Sequence, residues 1–483
     1  MTRPAMPNEY PSGSFLSEVP ACAPGPLLAA LAAAGLAYDV SPEVRADHGR
    51  DWWPLTIPDV AAGRVPHWPG VVVRPTSTDE VSRLLAIASS QRVAVTPQGG
   101  RSGVVGGAVA PSGAIALDLT GLDRILDVDA TSGTVSVEAG VFGPDLERHV
   151  RARGWTVGHF PQSFDLATVG GWIACRGAGQ YSNRYGKIED IVRALTVVLA
   201  SGEVVELGGR GPRQAVGPDL LALFTGSEGT LGVITRATLV MHPVATSERR
   251  AAYGFASFAE GLEACRRILQ HDARPAVLRL YDGAESRRNF EVERCALIVL
   301  DEGDQSLVDA TMGIVERECA GAAPLDVELV ERWLAHRNDV GALAPLWERG
   351  IVVDTIEVAG PWATLAPMHQ RVTSALLMLP DMMVASVHQS HAYLDGACLY
   401  FTFAGRPASD VTGFYRAAWD AATETVLDCG GSLSHHHGVG RNRARFVARA
   451  LASAYPVLTA LKQQFDPLGI MNPGALGLGG EPW

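Results

Sequence analysis

Three long glycine-rich stretches interrupt otherwise strand-like text, and they constrain this 483-residue chain more than any other feature. The first is TPQGGRSGVVGG (96–107), the second SFDLATVGGWIACRGAGQYSNRYGKIEDIV (163–192), the third TGSEGTLGVIT (225–235). Glycine admits positive φ, and successive backbone N–H groups can then turn toward an anion such as a phosphate. Each stretch singly is explained by a structural turn. The first also lacks the GxGxxG-then-helix setting of a dinucleotide fingerprint and the GK[ST] of a P-loop. Three of them in one domain, set between apolar strands, read as ligand-holding loops, because long irregular segments at fixed places usually carry function.

The text around the loops predicts α+β layers rather than a regular parallel sheet. VVVRPTS from Val71 reads as a strand, and TDEVSRLLAIASSQ as a helix capped by Thr78. VAVTPQGG returns as a strand, residues 191–207 form a hairpin across ASGE, and GPDLERHVRARG is a helix. A new block starts near 246, with strands at ALIVLDEG and GACLYFTFAG and helices near 257–271, 306–320 and 408–427. The expected organisation is an extension with a short helix (1–65, irregular over 1–20), a domain over 66–245, a second over 246–429, and a segment 430–483 returning to the site.

A net charge of −12 argues against general nucleic-acid binding, which needs clustered Lys and Arg. Seven scattered cysteines without a CxxC pair fit a reduced, cytoplasmic chain. The apolar run 26–37 is too short to span a bilayer and begins too late for a signal peptide. The final GEPW carries no targeting signal.

Four segments in order, PQGGRSGVVGG, DLATVGGWIA, YGKIEDIV and GSEGTLGVIT, resemble the FAD-binding half of the vanillyl-alcohol-oxidase/PCMH flavoprotein family, with the likeness running from Val71 to Pro473. The resemblance implies a PCMH-type FAD-binding domain of two α+β subdomains, plus an α+β cap domain with an antiparallel sheet. It implies that Pro97, Gln98, Gly99, Gly100, Arg101, Ser102 and Gly103 wrap the pyrophosphate. Gln162, Ser163, Asp165, Thr168, Gly171, Ala174, Cys175, Arg176 and Gly177 would line the rest, with Glu228, Gly229, Thr230, Gly232, Val233 and Ile234. Many members tether the flavin through a histidine in the first loop. Here that loop has neither His nor Cys, so FAD is expected to be non-covalent.

The other marked feature is SHHHGVGRNR (434–443). Imidazole ligates metals and titrates near neutrality. In an extended segment, however, only His435 and His437 share a side, and the residue-level alternative is a satisfied surface loop. Hydroxy-acid dehydrogenases of the family carry Glu-His-Gly here and a histidine pair around Asp-Gly-Asn. This chain has His436 in place of the Glu, and near the other motif it reads HAYLDGACLYFTF (391–403), with His391 at the first histidine and Tyr400 near the second. No metal is therefore expected.

GGSLSHHHGVG, CLYF and VLRLYD together resemble the ether-lipid branch, the alkylglycerone-phosphate synthases. That likeness assigns catalysis to Tyr400, His435, His436, His437 and Arg279, with Arg337 in AHRND as the substrate-anion residue. Arg441 and Arg443 are expected to add positive field. Alternatives are a salt bridge to Asp282 for Arg279 and a core aromatic for Tyr400. Arginine offers a planar fork for phosphate or carboxylate, and a phenol or imidazole can move a proton at a carbon beside a carbonyl.

The implied reaction exchanges the acyl group of an acyl-dihydroxyacetone phosphate for an alkoxy group through a flavin N5 adduct. It also implies a small-molecule or lipid substrate, peripheral membrane contact and a homodimer. The alternative is FAD-linked oxidation of a 2-hydroxy acid or other alcohol, which the terminal MNPG (471–474) resembles more closely.

Overall fold

The computed structural model describes residues 18–209, 211–341 and 343–480. The start of the expected irregular extension, 1–17, and the last three residues of GEPW lie outside the described residues. The apolar run near the start forms the helix Gly25–Ala33, which buries Leu27 and Leu31.

Three larger sheets and a two-stranded pair organise the described residues. The first joins β1 (Tyr38–Asp39), β2 (Val71–Val73), β3 (Val95–Gln98) and β4 (Ile115–Asp118) in the order β1-β2-β4-β3. β4 runs parallel to both β2 and β3, as the intervening helix Thr78–Gln91 requires. That helix forms where the apolar spacing predicts, but its cap is Ser77 rather than Thr78. The extended Ser77 accepts a hydrogen bond from the Glu80 N–H, while Thr78 is already helical.

The second sheet is antiparallel. It contains β5 (Ile125–Asp129) and β6 (Thr134–Glu138). After β7 (Trp155–Thr156) come its other members, β8 (Val192–Val198), β9 (Val204–Gly208) and β10 (Val233–Val240). Its order is β5-β6-β10-β8-β9, while β7 pairs with β11 (His242–Pro243). β8 and β9 are the hairpin read from ASGE.

The third sheet takes in β12 (Ser247–Phe255), β13 (Val277–Tyr281), β14 (Cys295–Gly303), β15 (Ala323–Pro324), β16 (Val352–Pro361), β17 (Met382–Ala392) and β18 (Gly396–Gly405). Its order is β15-β12-β14-β13-β17-β18-β16, antiparallel throughout. Strand alternation divides its faces. Leu278, Leu280, Val387, Leu399, Phe401 and Phe403 point to one face and pack with residues of the helices Phe258–Gln270, Gln305–Glu318, Trp362–Leu377 and Val411–Asp428. Arg279, Tyr281, His388 and Tyr400 lie on the opposite parity, where Tyr281 packs with Tyr181 and Tyr185 from the second glycine-rich stretch.

Candidate active site

The glycine-rich stretches converge. A Cβ on Gly100 would lie 1.6 Å from the Leu166 carbonyl oxygen, and one on Gly99 2.2 Å from Thr168 Oγ1, so the first loop lies directly on the second. Gly226 and Glu228 donate their N–H groups to Ile173 and Ala174, joining the third to the second. Gly229, at φ +71°, packs against Pro97 and closes the ring between the third and the first.

Within this cradle Arg101 pairs with Asp47 at a positive φ, and Thr168 caps the helix Val169–Ala174 by accepting from Gly171 N–H. Gln162, Ser163 and Asp165 form the turn before that helix, and Gln162 donates to the Asp339 carbonyl. Arg176, at φ +56°, lies against Gly226, and Gly177 faces His159. The Cys175 thiol is pushed up to about 12 by burial. Burial also pushes the Glu228 carboxyl up to about 7, even though it accepts the N–H groups of Val439 and Gly440. Thr230 donates its hydroxyl to Ser227 O, and Gly232, Val233 and Ile234 enter β10 against buried cores.

The second half of the site is one row across the third sheet. Tyr281 of β13 pairs with His388 of β17, His388 with Tyr400 of β18, and Tyr400 with Glu357 of β16. Four side chains on adjacent strands therefore share one level and one face. The rings touch along the row: Tyr281 lies tilted to His388 at 5.4 Å, and His388 stacks on Tyr400 at 4.8 Å. A one-residue bulge in β17 between Gln389 and Ala392 re-aims His391 to the same side. There His391 bonds Ser182 Oγ at 2.8 Å and stacks on His435.

Glu357 at the end of the row shapes the histidine triplet. It is fully buried, accepts the Ser434 hydroxyl and the backbone N–H groups of His435, His436 and His437, and forms an ion pair with the Arg443 guanidinium at 3.1 Å. Three successive N–H groups aimed at one carboxylate curl the segment, so it is not extended. All three imidazoles consequently line one wall, correcting the expectation that only His435 and His437 share a side. Tyr400 Oη lies 2.5 Å from His436 Nε2 and 3.4 Å from His437 Nε2. His435 Nδ1 meets His436 Nδ1 at 2.8 Å, and its Nε2 meets the Tyr393 hydroxyl at 3.0 Å. Lys187 Nζ holds the His435 carbonyl at 2.7 Å.

Burial dominates the electrostatics. It pulls His437 down to about 4, and His435 and His436 well below the usual imidazole range, while pushing the Tyr400 phenol well above the tyrosine range. Burial alone would raise Glu357, but Arg443 and the histidines outweigh it and hold it at about 2. The wall thus carries neutral imidazoles and a protonated phenol.

Arg279 does not pair with Asp282, whose carboxylate caps the following helix and accepts Val387 N–H. Its Nη2 instead reaches His388 Nε2 at 2.6 Å. Arg279 and Arg337 both lie over Trp333, at 5.9 and 5.7 Å. Arg279 Nε and Arg337 Nη1 are buried without a hydrogen-bond partner. Arg441 donates to the carbonyls of Val109 and Pro473, and Arg443 is buried against Glu357, where its positive charge also acts on His437 and Tyr400. One group of metal-type donors lies together among the described residues, Glu357, Cys398, His435 and His436, within 4.8 Å of one another. The Glu357 carboxylate in it is already filled by the five groups above. Sequence reasoning missed Glu357, Glu285, His388 and Lys187. A lone Glu in the apolar strand VVDTIEVAG was the one available signal.

A family model for the FAD binding domain matches residues 69–208, and one for the C-terminal domain of FAD linked oxidases matches 245–476. An uncharacterised FAD-linked oxidoreductase, YgcU, of Escherichia coli O157:H7 is 32% identical over 431 residues, covering 84% of this chain and 89% of its own. The chain belongs to the FAD-linked oxidases of the PCMH-type flavoprotein family. FAD is the cofactor of this flavoenzyme. The alkyldihydroxyacetonephosphate synthase of Dictyostelium discoideum is 30% identical over 465 residues, covering 86% of this chain and 74% of its own. A D-lactate dehydrogenase of Anaerostipes hadrus is 28% identical over 434 residues, covering 84% and 89%. A solved alkyldihydroxyacetonephosphate synthase superposes with a TM-score of 0.77 at 27% identity, covering 94% of this chain and 86% of that one.

The cradle fits such a cofactor. Its backbone approaches leave no room for a Cβ, and Gln98 Oε1, Ser227 Oγ and the Asn442 amide are buried in its loops without partners. No helix among the described residues is long and apolar enough to cross a membrane.

Proposed function

We propose that this flavoenzyme exchanges the acyl group of an acyl-dihydroxyacetone phosphate, or a related ketone ester, for an alkoxy group. A fatty acid leaves and an alcohol enters, so the net reaction gains and loses no electrons. The observation that carries the reading is the Tyr400–His436–His437 contact, set beside two guanidinium groups with unpartnered N–H donors. Arg279 and Arg337 would hold the phosphate, as arginine forks do. His436, kept neutral by burial, would take the proton from the carbon beside the carbonyl. The Tyr400 O–H and a His437 N–H would donate to the oxygen on which negative charge develops. Bound FAD supplies an electron-accepting ring at which the substrate carbon is activated. The first-loop, Thr168–Gly177 and Glu228–Ile234 residues would hold it without a covalent bond.

The boundaries 66–245 and 246–429, with a return over 430–483, belong to the same reading, as do a cytoplasmic homodimer and peripheral contact with a lipid surface. FAD-loaded protein given acyl-dihydroxyacetone phosphate and a long-chain alcohol is expected to yield alkyl product and free fatty acid. Absence of alkyl product overturns the reaction. Asn472-Pro473-Gly474 and the likeness to D-lactate dehydrogenase favour a second reading, oxidation of a 2-hydroxy acid. It predicts anaerobic bleaching of the flavin by D-lactate or D-2-hydroxyglutarate.

A further inference from the structure

The Arg279 guanidinium is aimed by a buried histidine that is itself held by a buried carboxylate. His388 Nε2 lies 2.6 Å from Arg279 Nη2, and His388 Nδ1 lies 2.7 Å from Glu285 Oε2. Arginine only donates, so Nε2 must accept, and the remaining ring proton sits on Nδ1 and points at Glu285. The geometry thus selects one neutral tautomer.

Glu285 is 1% exposed and is fixed in turn by the Ser386 and Thr402 hydroxyls and by Arg288. Ser386 and Thr402 are the next same-face residues along β17 and β18 from His388 and Tyr400, so the carboxylate is seated by the same register that builds the row. The His388 ring lies nearly parallel to Tyr400, at 13°. Arg279, held at Nη2, stacks over Tyr281 and Trp333 and keeps its buried Nε unpartnered.

We infer that His388 and Glu285 are positioning residues for the anion-binding arginine: Glu285 fixes the His388 tautomer, and His388 holds one edge of Arg279 so that its remaining donors face the substrate anion. This rests on the anion-binding role proposed above for Arg279. A protonated or reversed His388 would set an N–H against the guanidinium and turn it away. Nothing in the triplet, or in Tyr400, does this work.

Two isosteric substitutions separate the inference from a structural role. His388→Asn places an amide where Nδ1 was. It satisfies Glu285 but offers Arg279 no acceptor. His388→Gln places a carbonyl near the Nε2 position and restores the acceptor. Binding of inorganic phosphate and of dihydroxyacetone phosphate is measured by flavin absorbance perturbation on FAD-loaded proteins.

His388→Asn is expected to weaken both anions by about tenfold or more, as loss of one charge-assisted hydrogen bond does, with His388→Gln within about threefold of wild type and FAD content unchanged. Wild-type affinity in His388→Asn, or equal loss in both variants, overturns the inference, since a purely structural role favours the Asn variant. Binding of neither anion by wild type overturns it as well. If wild type forms no alkyl product while His388→Asn alone loses anion affinity, the alkyl-exchange reading falls and the positioning role stands.

Discussion

At the scale of single residues, Glu357 is the knot of the site. One carboxylate holds three consecutive backbone N–H groups, a serine hydroxyl and an arginine. Removing one partner of a fully buried pair strands the other charge, so Glu357→Ala should cost about 3–5 kcal/mol of stability in urea unfolding. Tyr400→Phe keeps the ring stack on His388 and removes only the hydroxyl. It should lower the turnover rate by about 100-fold or more while FAD remains bound.

The histidine wall carries a pH signature. His437 titrates near 4 in the folded protein, against about 6.5 for an unfolded chain, so the unfolded state binds more protons between those values. Stability contributed by the neutral ring is full above about 6.5 and is lost as pH falls toward 4, by roughly 3 kcal/mol. Urea unfolding across that range should show this slope in wild type and a flatter one in His437→Phe. The triplet and Tyr400 were legible in the sequence because they are adjacent or carried by a motif. Glu357 was not, because what joins it to the triplet is cross-strand register, which one sequence does not display.

At the scale of elements, alternation does most of the work. Once β13, β16, β17 and β18 pair in their observed register, Tyr281, His388, Tyr400 and Glu357 must line up, and a one-residue slip would bury them among the helices instead. The strands ALIVLDEG and GACLYFTFAG and the helices near 257–271, 306–320 and 408–427 were readable from periodicity to within a few residues, whereas the helix Trp362–Leu377 was not read. The β17 bulge that turns His391 was not, since an extra residue leaves no mark in the text. The glycine loops stood out in the sequence because three of them occur together, but their mutual packing required the fold. Gly100→Ala tests that packing. A methyl 1.6 Å from the Leu166 carbonyl forces the first loop off the second, and the purified protein should carry little or no FAD by its flavin-to-protein absorbance ratio.

At the scale of the whole molecule, the C-terminal segment stitches the two halves together. Val95 N–H donates to the Ile470 carbonyl and Asn472 N–H to the Val95 carbonyl, the Asn472 side chain donates to the carbonyls of Gly107 and Glu228, and the Val105 carbonyl accepts the N–H groups of Arg441 and Asn442 beside the triplet. The loops that suit a flavin and the strands that carry the row are thereby held against each other. The net charge and the scattered cysteines framed the class of protein, and the ordered glycine motifs its family. The proposed chemistry rests on the row.

The central claim is that this wall moves a proton and holds an anion without net electron transfer. The most direct measurement is anaerobic incubation of the FAD-loaded protein with acyl-dihydroxyacetone phosphate and a labelled long-chain alcohol, following flavin colour and label together. The account predicts label in a phosphate-bearing ether with the flavin still oxidised at the end. Lasting bleaching of the flavin by a 2-hydroxy acid, with no label incorporated, would contradict it.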